Sequence, residues 1–384
     1  MPPYRPAAAG AGPPGFRPPI PGRGATFNPP NRFERIHLEP MADEPVAEGE
    51  EPATPRPTTR FYVDGTESVL VRNDSPDVPF TWGLNPYRGC EHGCAYCFAR
   101  PYHEFLGWSS GLDFESRIMV KLRAPELLRA ELASPRWRPE TIGLSGVTDC
   151  YQPAERRFRL TRGCLEVMAA CRQPVGIVTK NFLVTRDRDL LAELARFQAV
   201  RVSLSITTLD AALASRLEPR AASPARRLEA VRLLTEAGVP VNVMVAPVIP
   251  GLTDHEIPAI LAAAAAQGAR TAAYEILRLP GAVRDVFLAW LDAHEPGKKE
   301  RVLARLRAVK GGRLNVSEFG LRMRGTGVFG RQIDDLFHAA ARRAGLNREE
   351  IVVSAARFRR PGGPGQLELF HDEDSAGGGE TWPG

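Results

Sequence analysis

The sequence predicts an α/β protein built on a parallel sheet, and two observations carry that prediction. Six short apolar runs, rich in β-branched residues, recur along the middle of the chain. Segments with apolar residues three and four apart separate them. Strand-like runs that alternate with amphipathic helices form right-handed βαβ units, in a sheet either open and doubly wound or curled into a partial barrel. In both architectures the chemistry lies at the C-terminal ends of the strands.

The first run covers residues 81–87. The others cover 142–149 (IGLSGVTD), 175–181 (VGIVTKN), 200–207 (VRVSLSIT), 239–250 (VPVNVMVAPVIP) and 271–279 (TAAYEILRL). All are short enough, and apolar enough, to be buried parallel strands. Helices are expected over 159–171, 186–197, 223–237 and 255–267. Thr253, Asp254 and Glu256 give the last of these a capped, acidic start.

The ends of the chain read differently. Fifteen of the 35 prolines fall in the first 60 residues, beside an acidic patch over 43–51. Such a segment buries too little apolar surface to offset its ordering entropy. Residues 1–58 are therefore expected to be largely disordered, with 33–38 as a docking strip, and 361–384 to form a second flexible tail. Between them lie a folded unit over 59–310 and a basic helical extension over 311–360.

The 384 residues, 43% of them hydrophobic, suffice for a sizeable core. A net charge of +5 permits a nucleic-acid partner without singling one out. No stretch approaches eighteen consecutive apolar residues, and the N-terminus carries Pro and Gly where a signal peptide needs an apolar run. A cytoplasmic protein with no membrane segment is expected. Three of the six cysteines fall within eight residues, which is metal-ligand spacing rather than a disulfide framework.

Those three are Cys90, Cys94 and Cys97, in CEHGCAYC, on a loop directly after the first expected strand. Three thiolates hold three irons of a four-iron cube and leave the fourth open to a chelating ligand. Zinc is the alternative, and it needs a fourth ligand that only His92 or His103 supplies locally.

With aromatic Tyr96 before the last cysteine, this spacing resembles the signature of the radical S-adenosylmethionine superfamily. The resemblance implies a partial (β/α)6 TIM-type barrel over 59–310 and two cofactors, a [4Fe-4S] cluster and S-adenosyl-L-methionine. It also implies a 5′-deoxyadenosyl radical that abstracts hydrogen, and an electron donor such as flavodoxin or ferredoxin. The strings NDSPDVPFTWGLNPYRGCEHGCAYCFARPYHEFLG, LDFES, TDCYQPAE, TKNFLVTRD, LEPRAASPARRL and APVIPGLTD resemble, in the same order, a bacterial branch related to spore photoproduct lyase.

Carried onto this chain, the resemblance places Tyr96 beside the cofactor, and Ser145, Gly146, Thr148 and Asp149 around the methionine amino group. Lys180 resembles the partner of the methionine carboxylate, a charge-assisted contact. Read without the resemblance, it is a solvated loop lysine. Ser205 faces the ribose hydroxyls, or is the solvent-side partner in an alternating strand, and residues 245–250 line the adenine. Glu218 and Arg220 pair with each other or organise the substrate side. Cys150 stands where the branch tends to carry Pro, and is read either as a hydrogen-atom donor or as a small buried apolar residue. Cys164 and Cys171 are packing residues of a helix.

Residues 319–332 (FGLRMRGTGVFGRQ) combine Arg322, Arg324 and Arg331 with glycines, as a phosphate-binding loop or a solvated one. Arg357 to Arg360 add charge beside Phe358. The tail from Gln366 to Phe370 (QLELF) resembles the peptide by which DNA-metabolism proteins dock on the replication sliding clamp. DNA is thus the expected partner, and lyase-like DNA repair the expected activity. Radical modification of a peptide or small metabolite, or a non-enzymatic metal module in DNA transactions, are the alternatives.

Overall fold

Strands form where β-branched side chains fill both faces of a buried sheet. A computed structural model, which describes residues 18–33 and 57–362, shows six of them in parallel. They are β1 (Trp82–Leu84), β2 (Ile142–Leu144), β3 (Val175–Thr179), β4 (Val200–Ser205), β5 (Val241–Val248) and β6 (Thr271–Ile276). Each pairs with the next in chain order, in a register that sets Leu84 beside Leu144, Leu144 beside Ile177, Ile177 beside Val202 and Val202 beside Val241. An order that never reverses has no topological switch point, so the doubly wound alternative falls and the fold is a partial (β/α)6 barrel. A short antiparallel strand, Leu70–Arg72, extends the β1 edge.

The expected runs extend two to five residues beyond these strands, because their last residues leave the ladder and become the loops at its C-terminal edge. Helices α1 (Ala124–Ala133), α2 (Leu160–Cys171), α3 (Arg188–Arg196), α4 (Pro224–Glu236) and α5 (Ile257–Ala266) follow the first five strands. Beyond β6 come α6 (Val283–His294), α7 (Lys299–Val309) and α8 (Gly327–Arg343). The sequence reading contains no counterpart of α1, whose buried stripe is only Ala124, Leu128 and Leu132.

Ser223 caps α4, its side chain accepting from the Arg226 N–H. The expected cap on α5 is corrected. Thr253 Oγ1 accepts from the Ile249 N–H at 3.0 Å, Asp254 from the Gly251 N–H at 3.1 Å, and Glu256 from Leu209 and Thr208. These side chains brace the β5–α5 loop, and the helix starts only at Ile257.

Residues 18–33 correct the expectation of disorder. They pack on the barrel, with Ala25 fully buried and Phe33 stacked 5.0 Å from Phe105. The rest of the 33–38 strip, and the tail that holds Gln366 to Phe370, lie outside the described residues.

Two arginines of the basic segments near the C-terminus, Arg322 and Arg360, are engaged by the rest of the fold. Arg322 donates to Asp77 and Ser75 and stacks on Phe319, while the Gly320 N–H also reaches Asp77, at 2.6 Å. Asp77 lies in the hairpin before β1, whereas Met323 accepts from the N–H of Ile276 on β6. This latch therefore joins the two edges of the open sheet. Arg360 likewise donates to the Leu132 and Ser134 carbonyls at the end of α1. No helix among the described residues is long and apolar enough to cross a membrane.

Lys310, at the end of α7, donates to the carbonyls of Arg322 and Arg324 at 2.7 and 2.8 Å, and burial pushes its pKa down to about 8 from the ordinary 10.5. Between those two values the unfolded chain keeps a proton that the folded chain has released, so stability rises with pH. Urea unfolding from pH 8 to 10 should show a steeper rise for the wild type than for Lys310→Met. Equal slopes would contradict this assignment.

Candidate functional site

The loops at the C-terminal edge enclose a cavity of about 160 Å³. Cys90, Cys94 and Cys97 line it together with Tyr96, Ser145, Thr148, Lys180 and Ser205. Cys150 does not. It is fully buried in the main core, its N–H donating to Ser145 Oγ at 2.8 Å and its carbonyl accepting from Thr161, so the hydrogen-donor reading is corrected to a packing role.

The cysteine loop is shaped by a residue to which the sequence reading gave no role. The Arg100 guanidinium, fully buried, donates to the carbonyls of Gly93, Cys94, Ser110 and Gly111 and to the carboxylate of Glu115, itself fully buried. Glu115 in turn accepts from the N–H groups of Gly24 at 3.1 Å and Ala25 at 2.8 Å, which ties residues 18–33 over the loop. Backbones approach so closely here that a Cβ on Gly24 would meet the Gly93 carbonyl at 1.7 Å. Gly93 itself holds φ +66°.

A second buried network stands behind Tyr96. Glu218 accepts from Arg227, from the Tyr96 hydroxyl and from Thr207 Oγ1, with Lys180 Nζ 3.7 Å away. Burial alone would raise this carboxyl, but the Arg227 and Lys180 charges and the hydrogen bonds hold its pKa at about 2. Glu218 and Arg220 do not pair with each other: Arg220 reaches Glu91 at 2.9 Å. Lys180 also donates to Ser205 Oγ at 2.5 Å and to the Ala246 carbonyl at 2.9 Å, so its ammonium is fixed at the cavity wall and not free in solvent.

Asp149 accepts from Thr179 Oγ1 and the Lys180 N–H, both at 2.8 Å, and lies 3.3 Å from His92 Nδ1. Burial opposes its charge, and these partners outweigh burial and keep the carboxyl low. Thr148 Oγ1 donates to the Tyr87 carbonyl, which ties the ends of β1 and β2 together. Two cavity residues, Glu275 near the end of β6 and Arg278 just beyond it, are paired at 2.5 Å, and Arg278 covers the Phe98 ring. Their signal in the sequence was a charged pair closing an apolar strand.

The donor set fits a cluster rather than one ion. Among the described residues no three His, Cys, Asp or Glu side chains converge as ligands of a single metal do. Three free thiols instead face one cavity, as thiolates bound to separate irons of a cube would. His92 is held between Asp149 and Asn181, and His103 packs against Trp108 and edge-on to Phe114, its pKa lowered to about 4 by burial. Neither is placed as the fourth ligand of zinc. Burial pushes all three thiols up, so metal binding must release their protons.

A sequential six-strand barrel with three free thiols on its first loop and fixed polar groups at the following strand ends defines a cofactor-binding barrel of the iron–sulfur class. Residues 84–264 match the family model of the radical SAM superfamily. Members of that superfamily use a [4Fe-4S] cluster and S-adenosylmethionine. An uncharacterized protein of Mycobacterium tuberculosis is 40% identical over 221 residues, covering 57% of this chain and 65% of the relative. One of Methanocaldococcus jannaschii is 32% identical over 173 residues, covering 45% of this chain and 62% of the relative. The chain thus spans less than two thirds of the length of either relative. Among solved structures, a cysteine-to-serine variant of spore photoproduct lyase superposes with a TM-score of 0.53 at 16% identity, over 74% of this chain and 80% of that one. So does a variant with bound AdoMet and dinucleoside spore photoproduct. At that identity the likeness concerns the fold.

Replacing Glu115 by Gln leaves the Arg100 charge buried without its counterion, and should lower stability by about 3–5 kcal/mol. Chemical denaturation measures this, and limited proteolysis should show cleavage within 18–33 that the wild type resists.

Proposed function

We propose that this chain is a radical S-adenosylmethionine enzyme that abstracts hydrogen from a nucleic-acid substrate, in the manner of a lyase-like repair enzyme. The carrying observation is the convergence of three free thiols, Lys180 and Ser205 on one cavity at the strand ends. When bound, the cluster and S-adenosylmethionine supply reductive carbon–sulfur cleavage and a 5′-deoxyadenosyl radical.

Cys90, Cys94 and Cys97 would hold three irons, and with no fourth ligand side chain placed beside them among the described residues, one iron would be left for the cofactor's chelating groups. Lys180, held by Ser205 and the Ala246 carbonyl, presents an ammonium toward the cofactor carboxylate. The buried Glu218–Arg227 pair keeps Tyr96 and Lys180 in place. Met244, Ala246 and Pro247 form an apolar wall that excludes water from a reactive carbon radical. The relation to a fold that binds a dinucleoside photoproduct, together with the chain's basic charge, supports nucleic acid as the substrate class. Flavodoxin or ferredoxin, the usual donors in the superfamily, would supply the electron.

Anaerobic reconstitution with iron, sulfide, dithionite and S-adenosylmethionine should yield a four-iron spectrum and release 5′-deoxyadenosine. Replacing any of the three cysteines by Ala should abolish both. One bound zinc per chain and no cofactor cleavage would overturn the proposal. Lys180→Met should keep the cluster spectrum and weaken S-adenosylmethionine binding by about 10–100-fold, the loss of one charge-assisted hydrogen bond.

A further inference from the structure

A second concave site lies next to the cavity, and no step above uses it. It is a groove of about 710 Å³ between the β5–α5 loop, α7 and α8. Arg301 and Arg305, one helical turn apart on α7, form one wall, and Phe329 in the first turn of α8 forms the other. The Arg305 guanidinium lies 3.7 Å from the centre of the Phe329 ring, and that ring remains 37% exposed.

The charge in the groove is not neutralised from within. Asp254, on its rim, is turned to the Gly251 N–H, and Lys298 is taken by Glu295 at 2.8 Å. Among the described residues neither Arg301 nor Arg305 has a carboxylate within ion-pair distance. Gly251 lets the loop lie against the stems of both arginines, which aims their heads along one face. Two free guanidinium groups beside an exposed ring match a ligand that alternates phosphates with flat bases.

Position joins the groove to the cavity. Pro247 at the end of β5 lines the cavity, and Pro250 on the loop that follows lines the groove. Three residues of chain span at most roughly 11 Å, which is about three nucleotides at the 3.4 Å rise of one strand. We propose that this groove is a subsite for the phosphodiester backbone of a single-stranded nucleic acid whose target base occupies the neighbouring cavity. The inference rests on the nucleic-acid reading of the proposed function, and within the 319–332 segment it places Phe329 at the ligand and not Arg322, which is committed to Asp77.

The test titrates the full chain with a fluorescein-labelled oligothymidylate of twelve residues, read by anisotropy over a series of KCl concentrations. Arg301→Gln/Arg305→Gln should bind at least about tenfold more weakly, and its slope of log affinity against log salt should fall by about 1.4, or 0.7 per lost phosphate contact. The exposed single variant Arg301→Gln should lower the slope by about 0.7. Phe329→Ala should weaken binding about fivefold or more at an unchanged slope, since it removes stacking and no charge. Absence of binding by the wild type, or variants with wild-type affinity and slope, would overturn the proposal. Release of 5′-deoxyadenosine without oligonucleotide should be the same in all four proteins. If that release is missing throughout while binding follows the pattern above, the radical reading fails and the groove stands.

Discussion

The buried Arg100 guanidinium is the contact on which the arrangement of the site depends. Its N–H groups are taken by four carbonyls of the cysteine loop and the following turn and by one carboxylate. A loop that carries three metal-binding thiols cannot be held by secondary structure, because its backbone must open toward the cavity. One planar cation with donors in fixed directions sets that shape instead. Glu115 balances the charge and passes the constraint to Gly24 and Ala25, so a segment distant in sequence becomes part of the wall of the site.

The same logic is repeated on the other side of the cavity. Glu218 and Arg227 are both almost wholly buried, and each charge is affordable only because the other is present. Through Tyr96 and Thr207 this pair reaches the cysteine loop and the end of β4 together. Two buried ion pairs therefore flank the thiols, one fixing the backbone between them and the other fixing the polar groups opposite.

Much of this was legible in the sequence. Six β-branched runs in order give six parallel strands in the same order, because buried parallel strands are read from composition alone. Cysteine spacing and strand ends pointed to the edge where the cavity lies, and Lys180 and Ser205, which the resemblance suggested, line it. Arg100, Glu115 and Arg227 were not legible as a network, since one arginine or glutamate in a polar context reads as a solvated residue until its partners are known. Residues 18–33 failed for a related reason. Their Pro and Gly content lowers the apolar area they bury, yet these residues are fixed by hydrogen bonds to a carboxylate ninety positions away, which no local pattern reveals. Arg322 and Arg360 were misjudged because basic residues at the surface of a chain and basic residues that clamp carbonyls look alike in composition.

The latch between Asp77 and Arg322 has a mechanical consequence. An open sheet of seven strands, six of them parallel, ends in two free edges, and here they are fastened by three side chains and a glycine N–H in place of a row of backbone bonds. Such a fastening is a clasp, not a weld. It can part and re-form without disturbing any strand register, whereas a closed barrel must break a whole ladder to widen. The bore of this barrel is thus set by a joint that includes an ion pair, which salt weakens where solvent reaches it.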